Sequence, residues 1–355
     1  MIMRLARLKQ APARAAREIA RLNPGGFAFV MATGIISNAF FFEDHHAIAE
    51  AMFVVNLVAF PLLLAATAIR ALRFGGRLWR DLTNPRVVFS FFTIVAASDV
   101  FGVQLDLRGH GEAALALWVF ALIAWLVLTY LGFGVLAISN TAQHANIIHG
   151  GWLIAIVGTQ SLVILGTRLA PQMPDAEVWF VLVHMLWGIG LALYGIFITL
   201  FAQRLFFSGV DAQDLHPILW VVMGAAAIST NAGAALILTD SPMPFLQALR
   251  PFVDGATLTM WAWGTWWIPL LILFGLWKHG VRRVPLSYTP LFWSLVFPLG
   301  MYAAASLRLS VAASFPPLRL ISSTMAWVAL AAWGLTAAGL LLHWRRETGA
   351  TIAAA

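Results

Sequence analysis

Long apolar runs broken by short polar stretches carry this sequence almost from one end to the other. About 20 apolar residues suffice to cross a bilayer as a helix. Runs of that kind cover 25–42, 49–71, 86–105, 113–139 and 151–167 in the first half of the chain, and 177–206, 218–238, 252–277, 291–309 and 318–344 in the second. The pattern predicts an all-α polytopic membrane protein with ten spans, numbered one to ten in chain order. Residues 1–22 read as a basic, partly amphipathic segment, 23–344 as the ten-helix membrane domain, and 345–355 as a tail.

A polar residue followed by proline stands ahead of four odd spans, at Asn23-Pro24, Asn84-Pro85, His216-Pro217 and Thr289-Pro290. Asn or Thr as N-cap with Pro at the first helical position is a helix-start signature. The intervals suggest a repeat of about 66 residues, which places a fifth start on the glycine-containing NIIHGGW, Asn146–Trp152. The chain therefore reads as five helical hairpins with equivalent odd members.

Polar and small residues follow the same division. Span one carries Met31, Thr33, Gly34, Ser37 and Asn38 at mid-membrane, span three Thr93, Ser98 and Asp99, span five Thr159, Gln160 and Ser161, and span seven Ser229, Thr230 and Asn231. Polar groups at that depth must face protein or water. The odd helices are thus expected to form an inner ring around a central pore lined by Met31, Thr33, Gly34, Ser37, Thr93, Ser98, Asp99, Thr159, Ser229, Asn231 and Arg308, with the even helices outside against lipid. All odd helices start on one side, so five helix N-termini converge at one mouth and favour anions there. Arg86 at one end and Arg308 at the other add to that bias.

Composition narrows the class further. The chain has 355 residues, 61% of them hydrophobic and only 10% charged, with a mean hydropathy of +0.84, which excludes a soluble domain. It contains no cysteine, so disulfides and thiolate chemistry are absent. Nothing in it calls for a cofactor, and the net charge of +7 reflects topology rather than nucleic-acid binding. Of the 22 Lys and Arg residues, only Arg108, Arg168, Arg250, Arg308 and Arg319 fall outside when the N-terminus is cytoplasmic; the rest fall inside. The positive-inside rule then places both termini in the cytoplasm of an inner cell membrane.

FAFVMATGIISNAF at 27–40 and WSLVFPLGMYAAAS at 293–306, set in five hairpins, resemble the tellurite-resistance/dicarboxylate transporter family, which includes the plant slow-type anion channels. The Met-x-Thr-Gly-Ile-x-Ser pattern of Met31–Ser37 is similar to that of its malate and sulfite transporter branch. The resemblance implies a homotrimer with one pore per subunit, closed at mid-membrane by a phenylalanine of span nine. Phe297, beside the helix-breaking Pro298, matches that gate. It also implies small anionic substrates, among them malate and other C4-dicarboxylates, sulfite, tellurite-like oxyanions, nitrate and chloride.

Phe297 lies about 3 Å from the centre of span nine, and a kink at Pro298 would turn it inward. Asp99 is the departure from an anion path, because its carboxylate in an inner helix needs a partner such as Arg308, a hydrated vestibule or a proton. A proton-coupled carrier is accordingly the alternative to an open channel, and a non-transporting scaffold or enzyme is the alternative from another class. The nine histidines lack the repeated ligand spacing of a membrane di-iron enzyme; His144 and His149 are five apart, off one helix face. WAWGTWW, Trp261–Trp267, reads as lipid-facing or packing indoles, and Asp254 as a carboxylate favoured by the start of span eight.

Overall fold

The computed structural model describes residues 16–139, 149–207 and 211–353, without a strand among them. Among the described residues, ten helices are long and apolar enough to cross a membrane. They are Pro24–Phe42, His46–Arg73, Val88–Asp106, Gly111–Ile138, Gly150–Gln172, Ala176–Phe207, Pro217–Ile237, Arg250–Val281, Pro290–Ala312 and Leu318–Arg346. Each falls on its predicted span. The last helix runs on to Ala353, so the tail read as separate continues span ten. His144, Asn146 and residues 1–15 of the basic segment lie outside the described residues.

Burial divides the ten into two sets. Between 72% and 94% of the apolar window is buried in each odd span, against 11–39% in each even one. The odd spans contact one another in a closed cycle, one to three to five to seven to nine and back to one. Each even span packs on its preceding odd span and also on the next, with span ten returning to span one.

Side-chain hydrogen bonds tie the outer helices to the inner cycle, and indoles supply five of them. Trp125 of span four donates to Thr159 at 2.8 Å and Trp118 to the Leu162 carbonyl. Trp187 of span six donates to the Ser229 carbonyl, Trp261 of span eight to Ser306, and Trp333 of span ten to Thr33 at 2.9 Å. An indole pairs its apolar body with one polar N–H, which suits a helix that faces lipid on one side and a polar neighbour on the other.

Every odd span opens in a short 3-10 turn before its α-helix. Asn23 caps the first, accepting from the Gly25 amide at 2.8 Å, and His149 caps the fifth-span turn through Nδ1, which accepts from the Gly151 amide at 3.0 Å. Thr289 and His216 stand at the corresponding N-cap positions without a side-chain bond. Asn84-Pro85 differs from the expectation. Asn84 accepts from the Arg86 amide, the chain makes an extra turn, and the helical turn starts only at Val88.

Two short helices, Gly75–Leu82 and Pro244–Ala248, lie between spans. Asp81 of the first pairs with Arg70 at the end of span two. Asp254 pairs with Arg250 in the first turn of span eight at 2.9 Å.

Candidate functional site

A small cavity, about 20 Å³, lies between the five odd spans, and all five line it. Span one contributes Ile35, Asn38 and Phe42, span three Asp99, Val100 and Val103, and span five Ser161 and Ile164. Span seven adds Ile228 and Asn231, and span nine Met301, Ala304 and Arg308. Apart from the adjacent Asp99 and Val100, the residues from one helix recur three or four positions apart, the spacing of a single helix face.

Two wide vestibules flank this cavity. The larger, about 1280 Å³, sits where the odd spans begin, with Pro24, Ser90, Gly150, Ile218 and Leu291 in its wall. Arg21, Arg70, Arg77, Arg80, Arg86 and Arg204 also line it, against Asp81 and Asp214. All six arginines belong to the set that the charge pattern groups on one side. The other vestibule, about 920 Å³, sits where the odd spans end, lined by Arg168, Arg308 and Arg319 and by Glu43, Asp44 and Asp106. Arg168 is neutralised by Asp106 at 2.6 Å. Arg308 lies over the ring of Phe42, 5.4 Å from its centre, and within 4 Å no carboxylate pairs with it among the described residues.

Phe42 and Arg308 line both this second vestibule and the central cavity, so the two adjoin. No residue is shared between the cavity and the larger vestibule. On each odd span roughly ten residues, about 15 Å of helix, separate the two linings. Phe297 lies in that closed stretch, 2% exposed, one turn before Met301 on the face that also carries Ala304 and Arg308. Pro298 packs its ring against span seven at Gly224, where an added Cβ would come 2.7 Å from the proline Cγ. Glycine there lets spans seven and nine approach at the level of Phe297.

Of the residues expected to line the pore, Asp99, Asn231 and Arg308 line the cavity, joined by Asn38 and Ser161, which the expectation left out. Met31 is buried one turn before Ile35 on the same face. The remaining polar residues satisfy other needs. Thr33 accepts from Trp333, Ser37 donates to the Ala49 carbonyl of span two at 2.7 Å, and Thr159 accepts from Trp125; all three turn to outer helices. Ser98 and Ser229 donate to carbonyls one turn back in their own helices, and Thr93 to the Ser90 and Pro24 carbonyls. Gly34 is a contact point, since an added Cβ would meet Val100 at 2.5 Å and Asn56 at 2.8 Å. A polar group in a membrane helix needs a partner, and an outer indole or carbonyl serves as well as a water-filled path.

Asp99 is 1% exposed. One carboxylate oxygen accepts from Ser161 at 2.7 Å; the other has no partner among the described residues. Arg308 shares its cavity without forming an ion pair with it. At the larger mouth His149 bridges two inner helices. Because Nδ1 accepts from Gly151, Nε2 carries the proton and donates to the Arg86 carbonyl at 2.7 Å. Burial, reinforced by the nearby charges of Arg204, Arg86 and His216, holds its pKa below the ordinary 6.5, against the opposing effect of the Arg86 carbonyl bond.

A family model described as SLAC1, voltage-dependent anion channel, matches residues 21–341. The chain belongs to this family. Among relatives of the SLAC1-family chain is an uncharacterised transporter of Methanocaldococcus jannaschii, 24% identical over 88% of this chain and 90% of that protein. A sulfite efflux pump of Arthroderma benhamiae is 21% identical over 89% of both. An uncharacterised membrane protein of Mycobacterium tuberculosis is 42% identical across 41% of this chain and 73% of its own length. The family is one of transporters and channels rather than enzymes.

Proposed function

We propose that this protein moves small anions across a cell membrane along the axis of its five odd spans, with Phe297 as the gate. The observation that carries the reading is a cavity lined by all five buried helices, with a basic vestibule where these helices start and a charge-balanced one, holding Arg308, where they end. Five helix N-termini and six arginines draw anions to the larger mouth. Arg308 attracts them from the other side into the cavity. The closed stretch holding Phe297 then separates the cavity from the larger mouth, and opening it completes the path. The sulfite pump among the relatives makes sulfite a first substrate to test, with malate, nitrate and chloride beside it.

Reconstitution of the purified full-length protein into liposomes tests this reading. Protein-dependent uptake of at least one of these anions down an imposed gradient is the expected result. Unitary currents in a planar bilayer would mark a channel, and saturable electroneutral exchange a carrier. No movement of any anion under any gradient sinks the proposal.

A further inference from the structure

The central cavity is richer in acceptors than an anion path requires. Asp99 Oδ1, Asn38 Oδ1 and Asn231 Oδ1 are all buried without a hydrogen-bond partner among the described residues, and all three residues line the cavity. Asp99 is 1% exposed and the two asparagines 4%.

The orientations of these groups are not equivalent. Asn38 Nδ2 donates to the Val100 carbonyl at 3.4 Å, and turning the amide over would set its oxygen against that carbonyl. Its Oδ1 is therefore fixed as an acceptor. Asp99 is anchored by Ser161 on its other oxygen. Asn231 Nδ2 reaches only the Met301 sulfur, a weak acceptor, at 3.4 Å, so that amide can present either end. Arg308 supplies donors at the cavity rim.

Chloride and nitrate are acceptors only. Either would suit Arg308 and the Asn231 amide, yet would leave Asp99 Oδ1 and Asn38 Oδ1 bare and facing negative charge. Water can donate an O–H to either acceptor, and a solute that replaces it without a donor loses that bond. We infer that the cavity selects anions carrying their own O–H, a monoprotonated oxyanion or a hydroxy acid, with that O–H donated to Asp99 or Asn38 and the anionic oxygen towards Arg308. This rests on the transport reading and names its substrate class. An acidic O–H carried in this way moves a proton together with the anion, without any change in the protonation of the protein.

Bicarbonate and nitrate separate the possibilities, being planar monoanions of similar size that differ by one O–H. Thermal unfolding of the detergent-solubilised full-length protein is followed while each sodium salt is titrated at neutral pH and constant ionic strength. A bound anion raises the midpoint. Bicarbonate is expected to reach half-maximal stabilisation at a concentration lower than nitrate by about tenfold or more, as in sites built around a substrate hydroxyl. Asp99→Asn, which replaces the free acceptor by an amide able to donate, brings the two salts together and corrects for general salt effects. Equal midpoints in the wild-type protein, a preference for nitrate, or no shift with either salt overturns the inference. Liposome flux is read independently: equal shifts with intact flux sink only the O–H selection, whereas absence of all flux sinks the transport reading.

Discussion

Truncating Phe297 to alanine is the sharpest test of the gate, because the structure sets both its direction and its scale. The side chain is 2% exposed, within the stretch that separates the central cavity from the larger vestibule. A charge forced through an apolar layer at mid-membrane meets a cost of about 2.5–3.5 kcal/mol on insertion scales. Each 1.36 kcal/mol is a factor of ten in rate, so a gate of that height slows passage roughly 70- to 400-fold. Phe297→Ala should raise flux towards that factor where the phenylalanine is the limiting barrier. The assay is anion flux into liposomes at matched protein density, with the unfolding midpoint in detergent as the check on folding. Val296→Ala is the control: Val296 is fully buried in the same helix but points about 100° away, and its truncation should leave flux unchanged. A folded Phe297→Ala protein with wild-type flux, or equal gains from both variants, refutes the gate.

Three further outcomes follow from the hydrogen bonds and charges of the site. Arg308→Gln should lower anion flux by about tenfold at low ionic strength, and the deficit should shrink as salt shortens the screening length; a deficit independent of salt would argue against electrostatic attraction. Thr33→Val removes the acceptor for Trp333 and should destabilise the protein by about 1–3 kcal/mol in unfolding measurements while leaving flux intact, whereas Asn231→Leu should change flux. His149 has a pKa depressed by burial, so the unfolded chain binds the proton more readily and stability falls with acid. Its contribution is complete above the unfolded value near 6.5 and is lost as pH drops through the lower folded value. Unfolding midpoints measured against pH should show that slope in the wild-type protein, and His149→Asn, which keeps an acceptor but does not titrate, should flatten it.

The ten spans were legible because hydropathy alone separates a membrane helix from its loops, and residues such as Pro24, Pro217 and Pro290 mark helix starts directly. The role of His149 was also within reach. Positions 23, 84, 149, 216 and 289 recur at nearly equal intervals, and the histidine ring does for span five what the Asn23 amide does for span one. Thr33 and Ser37 count as pore lining on depth alone, because the sequence shows how deep a residue lies and not which way it points. The partner of Thr33 stands 300 residues away on span ten, and no local pattern announces it. Asn38 and Ser161 carried a usable signal. Asn38 lies on the face of Ile35 and Phe42, and Ser161 on that of Ile164, so following each face from a known lining residue would have separated cavity residues from outward ones. The Gly75–Leu82 helix escaped a search for apolar runs because it is short and polar, although its Arg77 and Arg80 line the larger vestibule.

The indole bonds explain how inner helices can carry polar groups without each one facing the path. Small and polar residues let spans one, three, five, seven and nine approach closely, but their hydroxyls and carbonyls need partners in a medium that supplies none. Outer tryptophans meet that need from the lipid side, and the bond from span ten to Thr33 ties the last helix to the first. WAWGTWW then has a specific part: Trp261 reaches Ser306 on span nine, Thr265 bonds Tyr302 on the same span at 2.7 Å, and Trp263 and Trp266 remain exposed. Buried oxygens without a hydrogen-bond partner among the described residues also occur elsewhere in the bundle, on Asn56, Thr129, Gln160, Thr257 and Thr289, but three of them, on Asn38, Asp99 and Asn231, share one cavity. Three unmet acceptors around one cavity offer a polar solute on the axis hydrogen bonds that a purely apolar interface would not.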